Sequence, residues 1–343
     1  MSVPRSTQAL LNLLELALPG ATLDIGSHGA AIARALGCGY LHDHLPACDH
    51  ARSAGVNPVY HTDELPPGPL QTVFFDAREY EPGYAAELLG QIATRLTPDG
   101  VLLTTARRPD VESWFGLVTD HDEALVARSP IPRALEPWSS YTFPLGEEGV
   151  SVQTAPGVFA PRTLDPGTRE MLARIEARPG QRFLDLGCGA GVVSLVAARQ
   201  WGCQVTAVDI SARALHLTRL NAPEAEAIAS DGFGALSGRQ FDLIASNPPY
   251  HTDYAVAKGF IEGAHRHLPP GGWLYLVVKR ADWYLQKVRS TFGGCRLYEH
   301  EGYAILATEK RADSPRTPQP PKAEATTKKH AKRIASSQKH RRP

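Results

Sequence analysis

Phe183-Leu184-Asp185-Leu186-Gly187-Cys188-Gly189-Ala190-Gly191 is an apolar run that stops at a glycine-rich loop. The run reads as a buried strand, and the loop opens a helix-period segment near 190–200. Glycine has no Cβ, so Gly187, Gly189 and Gly191 let the backbone approach a ligand closely and adopt positive φ. Around it, short apolar runs at 182–186, 204–208, 225–229, 241–245 and 272–278 alternate with helical segments near 190–200, 211–221, 254–268 and 282–292. That alternation predicts βαβ units on a mostly parallel sheet, an α/β fold. Two further runs at 296–299 and 303–308, joined at Glu301-Gly302, predict a closing hairpin that makes the last strand antiparallel.

Two spaced acids sharpen the reading of the loop. Asp209 ends the second strand, 20 residues after Gly189, where a carboxylate accepts from both ribose hydroxyls. Asp231 follows the third strand, placed to accept from an adenine amino group, and Phe233 is placed to pack on the adenine ring. Asp185 lies under the loop itself. A carboxylate there repels a pyrophosphate but suits a ligand carrying an ammonium and a sulfonium. The expected cofactor is therefore S-adenosylmethionine, not a dinucleotide.

Asn247-Pro248-Pro249-Tyr250 follows the fourth strand and is the most specific signal in the chain. Two prolines stiffen the loop before substrate arrives. The Asn247 side-chain oxygen and the Pro248 carbonyl make two neighbouring acceptors. A conjugated amine is a poor nucleophile because its lone pair is delocalised. Acceptors holding its hydrogens favour a tetrahedral nitrogen, and they bind the positive charge that develops in the transition state. Tyr250 offers a stacking face for a planar base or amide. Asn247 is also expected among the cofactor-binding residues, and His251 is placed to meet a base or a phosphate.

The chain of 343 residues repeats itself. Leu23-Asp24-Ile25-Gly26 resembles Leu184-Asp185-Leu186-Gly187, and Pro98-Asp99-Gly100-Val101-Leu102-Leu103 resembles Pro270-Gly271-Gly272-Trp273-Leu274-Tyr275. Arg107-Arg108 falls where Lys279-Arg280 falls. The first copy keeps little of the glycine pattern, and its counterpart of the catalytic loop reads Asp76-Ala77-Arg78-Glu79. The expected organisation is a degenerate copy over 1–135, a proline-punctuated linker over 136–156, a catalytic half over 157–310 and a tail over 311–343. The tail holds ten Lys/Arg against two Asp/Glu, whereas the other 310 residues hold 26 against 34. A basic, aromatic-free segment reads as disordered and suited to polyanions. Cys38, Cys48, Cys188, Cys203 and Cys295 are scattered, and none has zinc spacing, so neither disulfides nor a metal are expected. No apolar run is long enough to span a membrane, and no leader precedes the first copy. The expected location is the cytoplasm.

These motifs resemble the guanine-N2 methyltransferases of small-subunit ribosomal RNA, the RsmC-type family. The resemblance spans most of the chain. It rests on the lead-in Pro156-Gly157-Val158-Phe159-Ala160 with Leu164-Asp165-Pro166-Gly167-Thr168, and on Asn247-Pro248-Pro249-Tyr250-His251, which is similar to the family's Asn-Pro-Pro-Phe-His. Family members carry two tandem class I methyltransferase units, the first without cofactor motifs. The closing hairpin agrees with that class. The resemblance implies N2-methylguanine in 16S rRNA, of the G1207 type, with ribosomal RNA or the small subunit as partner and S-adenosylmethionine as cofactor. It also implies substrate contacts at Phe159, His251, Lys279 and Arg280. Tyr at position 250 is commoner in N6-adenine and glutamine-N5 enzymes, so methylation of adenine in RNA or DNA, or of a release factor, stays open here. So does a non-enzymatic RNA-binding role.

Overall fold

A computed structural model describes residues 3–145, 148–248 and 254–312. Among these residues the first half contains β1 (Thr22–Ile25), β2 (Gly39–His42), β3 (Val59–His61), β4 (Leu70–Phe75), β5 (Leu96–Thr104), β6 (Phe115–His121) and β7 (Ala124–Pro130). Its helices are α1 (Arg5–Leu11), α2 (Ala31–Leu36), α3 (Leu45–Ser53), α4 (Pro82–Arg95) and α5 (Arg108–Glu112). A hairpin follows, β8 (Ser139–Leu145) and β9 (Glu148–Thr154). The second half contains β10 (Arg182–Leu186), β11 (Gln204–Asp209), β12 (Glu226–Ala229), β13 (Leu243–Ser246), β14 (Trp273–Val278), β15 (Arg296–His300) and β16 (Tyr303–Glu309). With them run α6 (Pro166–Leu172), α7 (Val192–Arg199), α8 (Ala212–Asn221), α9 (Tyr254–His267) and α10 (Ala281–Phe292).

The two sheets have one topology. The first runs β3-β2-β1-β4-β5-β7-β6 and the second β12-β11-β10-β13-β14-β16-β15. In the second, the reversed strand is the one expected from the closing hairpin, with β16 antiparallel to β14 and β15, and the first sheet has the same ending, with β7 antiparallel to β5 and β6. Two layers of helices bury both faces of each sheet, which explains why the central strands read as continuous apolar runs. Phe183, Leu184, Leu243, Ile244, Leu274 and Leu276 are all buried. Both halves lie within one compact unit, residues 1–310. Among the described residues, no helix is long and apolar enough to cross a membrane.

One expectation needs correction. Residues 136–156 are not a bare linker, since β8 and β9 pair in register from Ser139↔Thr154 to Leu145↔Glu148. Phe143 and Val152 on this hairpin are buried with Leu195, Val196 and Leu217 of the second half. Asn221 holds the hairpin down. Its Nδ2 donates to Gln153 O at 2.8 Å and to Ala190 O at 2.8 Å, and its Oδ1 accepts from Gln153 N at 2.8 Å. The hairpin therefore belongs to the wall beside the glycine loop. Of the basic tail, only Arg311 and Ala312 fall among the described residues.

Candidate active site

The glycine loop, Asp209, Asp231, Asn247 and Lys279 follow the ends of β10, β11, β12, β13 and β14. They therefore share one edge of the sheet. The strand order reverses between β10 and β13, the place where open α/β sheets bind ligands. Ser246 Oγ donates to Leu186 O at 2.7 Å and ties the ends of those two strands together.

In the loop, Gly187 (φ 77°), Gly189 (φ 54°) and Gly191 (φ 78°) are all left-handed. A Cβ on Gly191 would lie 2.9 Å from Thr218 Cα, so α7 packs this close to α8 only with glycine there. Gly189 N donates to Asp209 Oδ2 at 3.0 Å, and Ser211 N to Asp209 Oδ1 at 2.9 Å. Burial raises the Asp209 carboxyl above the usual range, opposed by those two amides and by nearby His44. Asp231 is exposed at the turn after β12.

Asp185 has a duty the sequence reading did not assign. It is buried, and its Oδ2 accepts from Ser194 N (3.0 Å) and Ser194 Oγ (2.7 Å). In the first half Asp24 Oδ2 accepts from Ala33 N at 2.9 Å, the same nine-residue span. The bond survives where the glycine pattern has decayed, so it anchors the helix after the loop. Burial pushes both carboxyls up to about 7.

Asn247 is oriented by a residue that sequence reasoning missed. Its Nδ2 donates to Asp165 Oδ2 at 3.1 Å and to Thr168 Oγ1 at 2.9 Å. Both amide hydrogens are thereby held by the protein, which fixes the direction of the side-chain amide. Asp165 is buried and caps α6 by accepting from Thr168 N at 2.8 Å, and its Oδ1 accepts from Tyr303 Oη at 3.1 Å. Gly167 lets α6 approach, because a Cβ there would stand 2.4 Å from Tyr303 Cδ1 and 2.6 Å from Val277 Cγ1. The first half shows the same link with reversed polarity. Thr7, third in α1 as Thr168 is third in α6, donates its Oγ1 to Asp76 Oδ2 at 2.6 Å. An amide at that position needs an acceptor, and Asp165 supplies it where the first half has Pro4.

Other expected residues take varied places. Phe159 is exposed (55%) on the strap that passes the glycine loop, where Val158 also lies. Phe233 is half-buried, its ring stacked on His267 (centroids 4.6 Å apart, 23°) and set against Gly263. That packing leaves at most its other face for an adenine. Lys279 Nζ stands 5.6 Å from the Tyr303 ring centre, at a cleft also lined by Glu299 and Glu301. Arg280 is exposed at the start of α10. Pro248 is described, whereas Pro249, Tyr250 and His251 lie outside the described residues.

In the first half Tyr80 packs against the matching edge. A Cβ on Gly26, the counterpart of Gly187, would lie 2.6 Å from Tyr80 Cε2. Tyr80 also stacks on His42 (5.3 Å, 29°), which ends β2 as Asp209 ends β11.

Residues 149–307 match the methyltransferase small domain family. The ribosomal RNA small subunit methyltransferase C of Pseudomonas aeruginosa (strain UCBPP-PA14) is 36% identical over 180 residues, 50% of this chain and 54% of that protein. Its namesake from Pseudomonas entomophila is 32% identical over 246 residues, 64% of this chain and 74% of that protein. The chain thus spans about half the length of the first relative and three quarters of the second. Among solved structures, the T. thermophilus 16S rRNA N2 G1207 methyltransferase in complex with AdoMet and guanosine superposes with a TM-score of 0.72 at 21% identity. The match covers 88% of this chain and 92% of that one, so the tandem fold is shared across both halves. By the entomophila match, in sequence and in span, the chain belongs to the ribosomal RNA small subunit methyltransferase C family.

Proposed function

We propose that the second half, 157–310, transfers the methyl group of S-adenosylmethionine to the exocyclic N2 amine of a guanine in small-subunit ribosomal RNA. The observation that carries this reading is the Asn247 amide, whose nitrogen is held by Asp165 and Thr168 and whose orientation at the end of β13, beside the glycine loop, is thereby fixed. The left-handed glycine loop and the adjoining Asp209 fit the nucleoside end of the cofactor. When bound, the cofactor supplies the electrophilic sulfonium methyl. Asn247 Oδ1 and the Pro248 carbonyl accept from the two amine hydrogens and direct the nitrogen lone pair. As the N–C bond forms, positive charge grows on that nitrogen and both acceptors bind it more strongly. The surplus proton leaves to water. Lys279, Arg280 and Phe159 fit the RNA side, and the likeness to the relatives named above favours guanine.

The test is direct. The protein is incubated with labelled S-adenosylmethionine and, separately, with deproteinised ribosomal RNA, small subunits, DNA and a release factor. The expected product is N2-methylguanosine from RNA or subunits. Label in N6-methyladenosine, or in the release factor alone, would overturn the substrate assignment.

Two further outcomes follow from the same reading. Asp209→Ala removes the ribose acceptor and should weaken cofactor binding by about 1–3 kcal/mol in calorimetry. Asp24→Ala falls on the helix anchor of the first half, so it should lower the melting temperature and leave cofactor affinity as it was. The second outcome concerns the tail. Removing 311–343 deletes a net charge of +8 from a remainder of −8. RNA binding should weaken and lose part of its salt dependence, with turnover at saturating RNA unchanged. An unchanged salt slope would make the tail a bystander.

A further inference from the structure

The end of β2 in the first half reaches the cofactor edge of the second. His44 and Ser211 form an antiparallel bridge. Leu45 N donates to Ile210 O at 2.8 Å, Ala212 N to Asp43 O at 2.7 Å, and Ser211 Oγ to Asp43 Oδ2 at 3.2 Å. His61 Nε2 pairs with Ile210 O at 3.1 Å. The three residues gripped in this way, Ile210, Ser211 and Ala212, directly follow Asp209. Ser211 N in turn donates to Asp209 Oδ1, so the buried Asp43 stands two hydrogen bonds from the ribose acid.

His42, Asp43 and His44 bring their donor atoms within 4.8 Å of one another, as a metal site would. Two of the three residues already hold hydrogen bonds through these groups. His42 Nδ1 accepts from His44 N at 3.0 Å, and Asp43 Oδ2 accepts from Ser211. Burial works to raise the Asp43 carboxyl, but His42, His44 and Ser211 together hold it below the usual range. Asp43 is therefore built into the fold as a brace on Ser211.

We propose that Asp43, with the backbone of His44, is a positioning element for the cofactor site of the other half. By fixing the turn Ile210–Ala212 it holds Asp209 ready for the ribose, so the non-catalytic half sets cofactor affinity. The proposal rests on Asp209 being the ribose acceptor. A turn that is competent only part of the time lowers apparent affinity by that fraction, with no change in the chemical step.

The test uses the full chain, S-adenosylmethionine and RNA. Asp43→Ala should raise the Kd and KM for the cofactor about tenfold, with kcat and the KM for RNA unchanged. Asp43→Asn keeps an acceptor for Ser211 and should recover most of the affinity. General loosening of the fold would instead lower kcat and raise the KM for RNA, which would overturn the proposal. If Asp43→Ala does not fold, Ser211→Ala removes the other end of the same bond and should reproduce the cofactor effect. Adding Asp43→Asn to Ser211→Ala should then cost nothing more. Wild-type protein that binds S-adenosylmethionine, with both variants within about twofold of it, overturns the brace. Wild-type protein that does not bind it overturns the cofactor reading beneath.

Discussion

Asn247→Ala is expected to lower turnover by roughly 100- to 1000-fold while leaving cofactor affinity unchanged. The alanine removes an acceptor whose main contribution comes as charge develops on the amine. Its loss therefore appears in kcat and not in binding. The surrounding geometry adds a sharper expectation. Asp165 and Thr168 hold the amide nitrogen, so the direction of the oxygen depends on groups that touch no substrate. Asp165→Asn places an amide against an amide. It lets Asn247 turn over and present its nitrogen to a donor, and turnover should fall although Asn247 is intact. The two losses should not add, because both remove the same oriented oxygen. Tyr303→Phe deletes only the bond to Asp165 Oδ1 and should cost about 1 kcal/mol of stability. Single-turnover rates at saturating cofactor and RNA give the answer. If Asn247→Ala stays within about tenfold of wild type, the role assigned to it is wrong.

How much of this was legible beforehand depends on the range of each interaction. The strands at 182–186, 204–209, 226–229 and 273–278 could be read because a sheet covered on both faces imposes apolar runs. The glycine loop was legible because positive φ and the close approach to Thr218 leave one residue type. The hairpin over 139–154 was not. Pro137 and Pro144 read as punctuation, and an edge strand tolerates proline that a central one would not. Asp165 read as part of a lead-in. Its bond to Asn247 crosses 82 residues and depends on Gly167 admitting α6 against Val277 and Tyr303. Asp185 suggested a ligand by its charge, and only the fold shows Ser194 already on it. Asp43, Glu87 and Arg213 carry no signal in the sequence, because neither helical nor strand periodicity records a partner in the other half.

Glu87→Ala is expected to destabilise the protein by about 3–5 kcal/mol, the largest effect at the junction of the halves. Arg213, in α8, is fully buried. Its Nη2 donates to Glu87 Oε1 at 2.7 Å and its Nη1 to Glu87 Oε2 at 2.9 Å and Pro156 O at 3.2 Å. Its guanidinium lies 3.6 Å from the centre of the Tyr84 ring, and Trp138 Nε1 also donates to Glu87, at 3.2 Å. Removing the carboxylate leaves a buried guanidinium without its counter-charge, and arginine cannot shed its proton to escape. Replacing both partners with methionine should be far milder, because no charge is then stranded. Thermal melting of the single and double variants separates the cases. A melting temperature for Glu87→Ala within about 1 °C of wild type would show that water reaches Arg213. The consequence for function lies in where Arg213 sits. It is two residues past Ser211, on the helix whose first turn follows Asp209. The half whose matching edge is packed by Tyr80 and His42 thus supplies the counter-charge and the brace for the start of α8. Loss of the first half should therefore cost the second both stability and cofactor, even with every motif residue present.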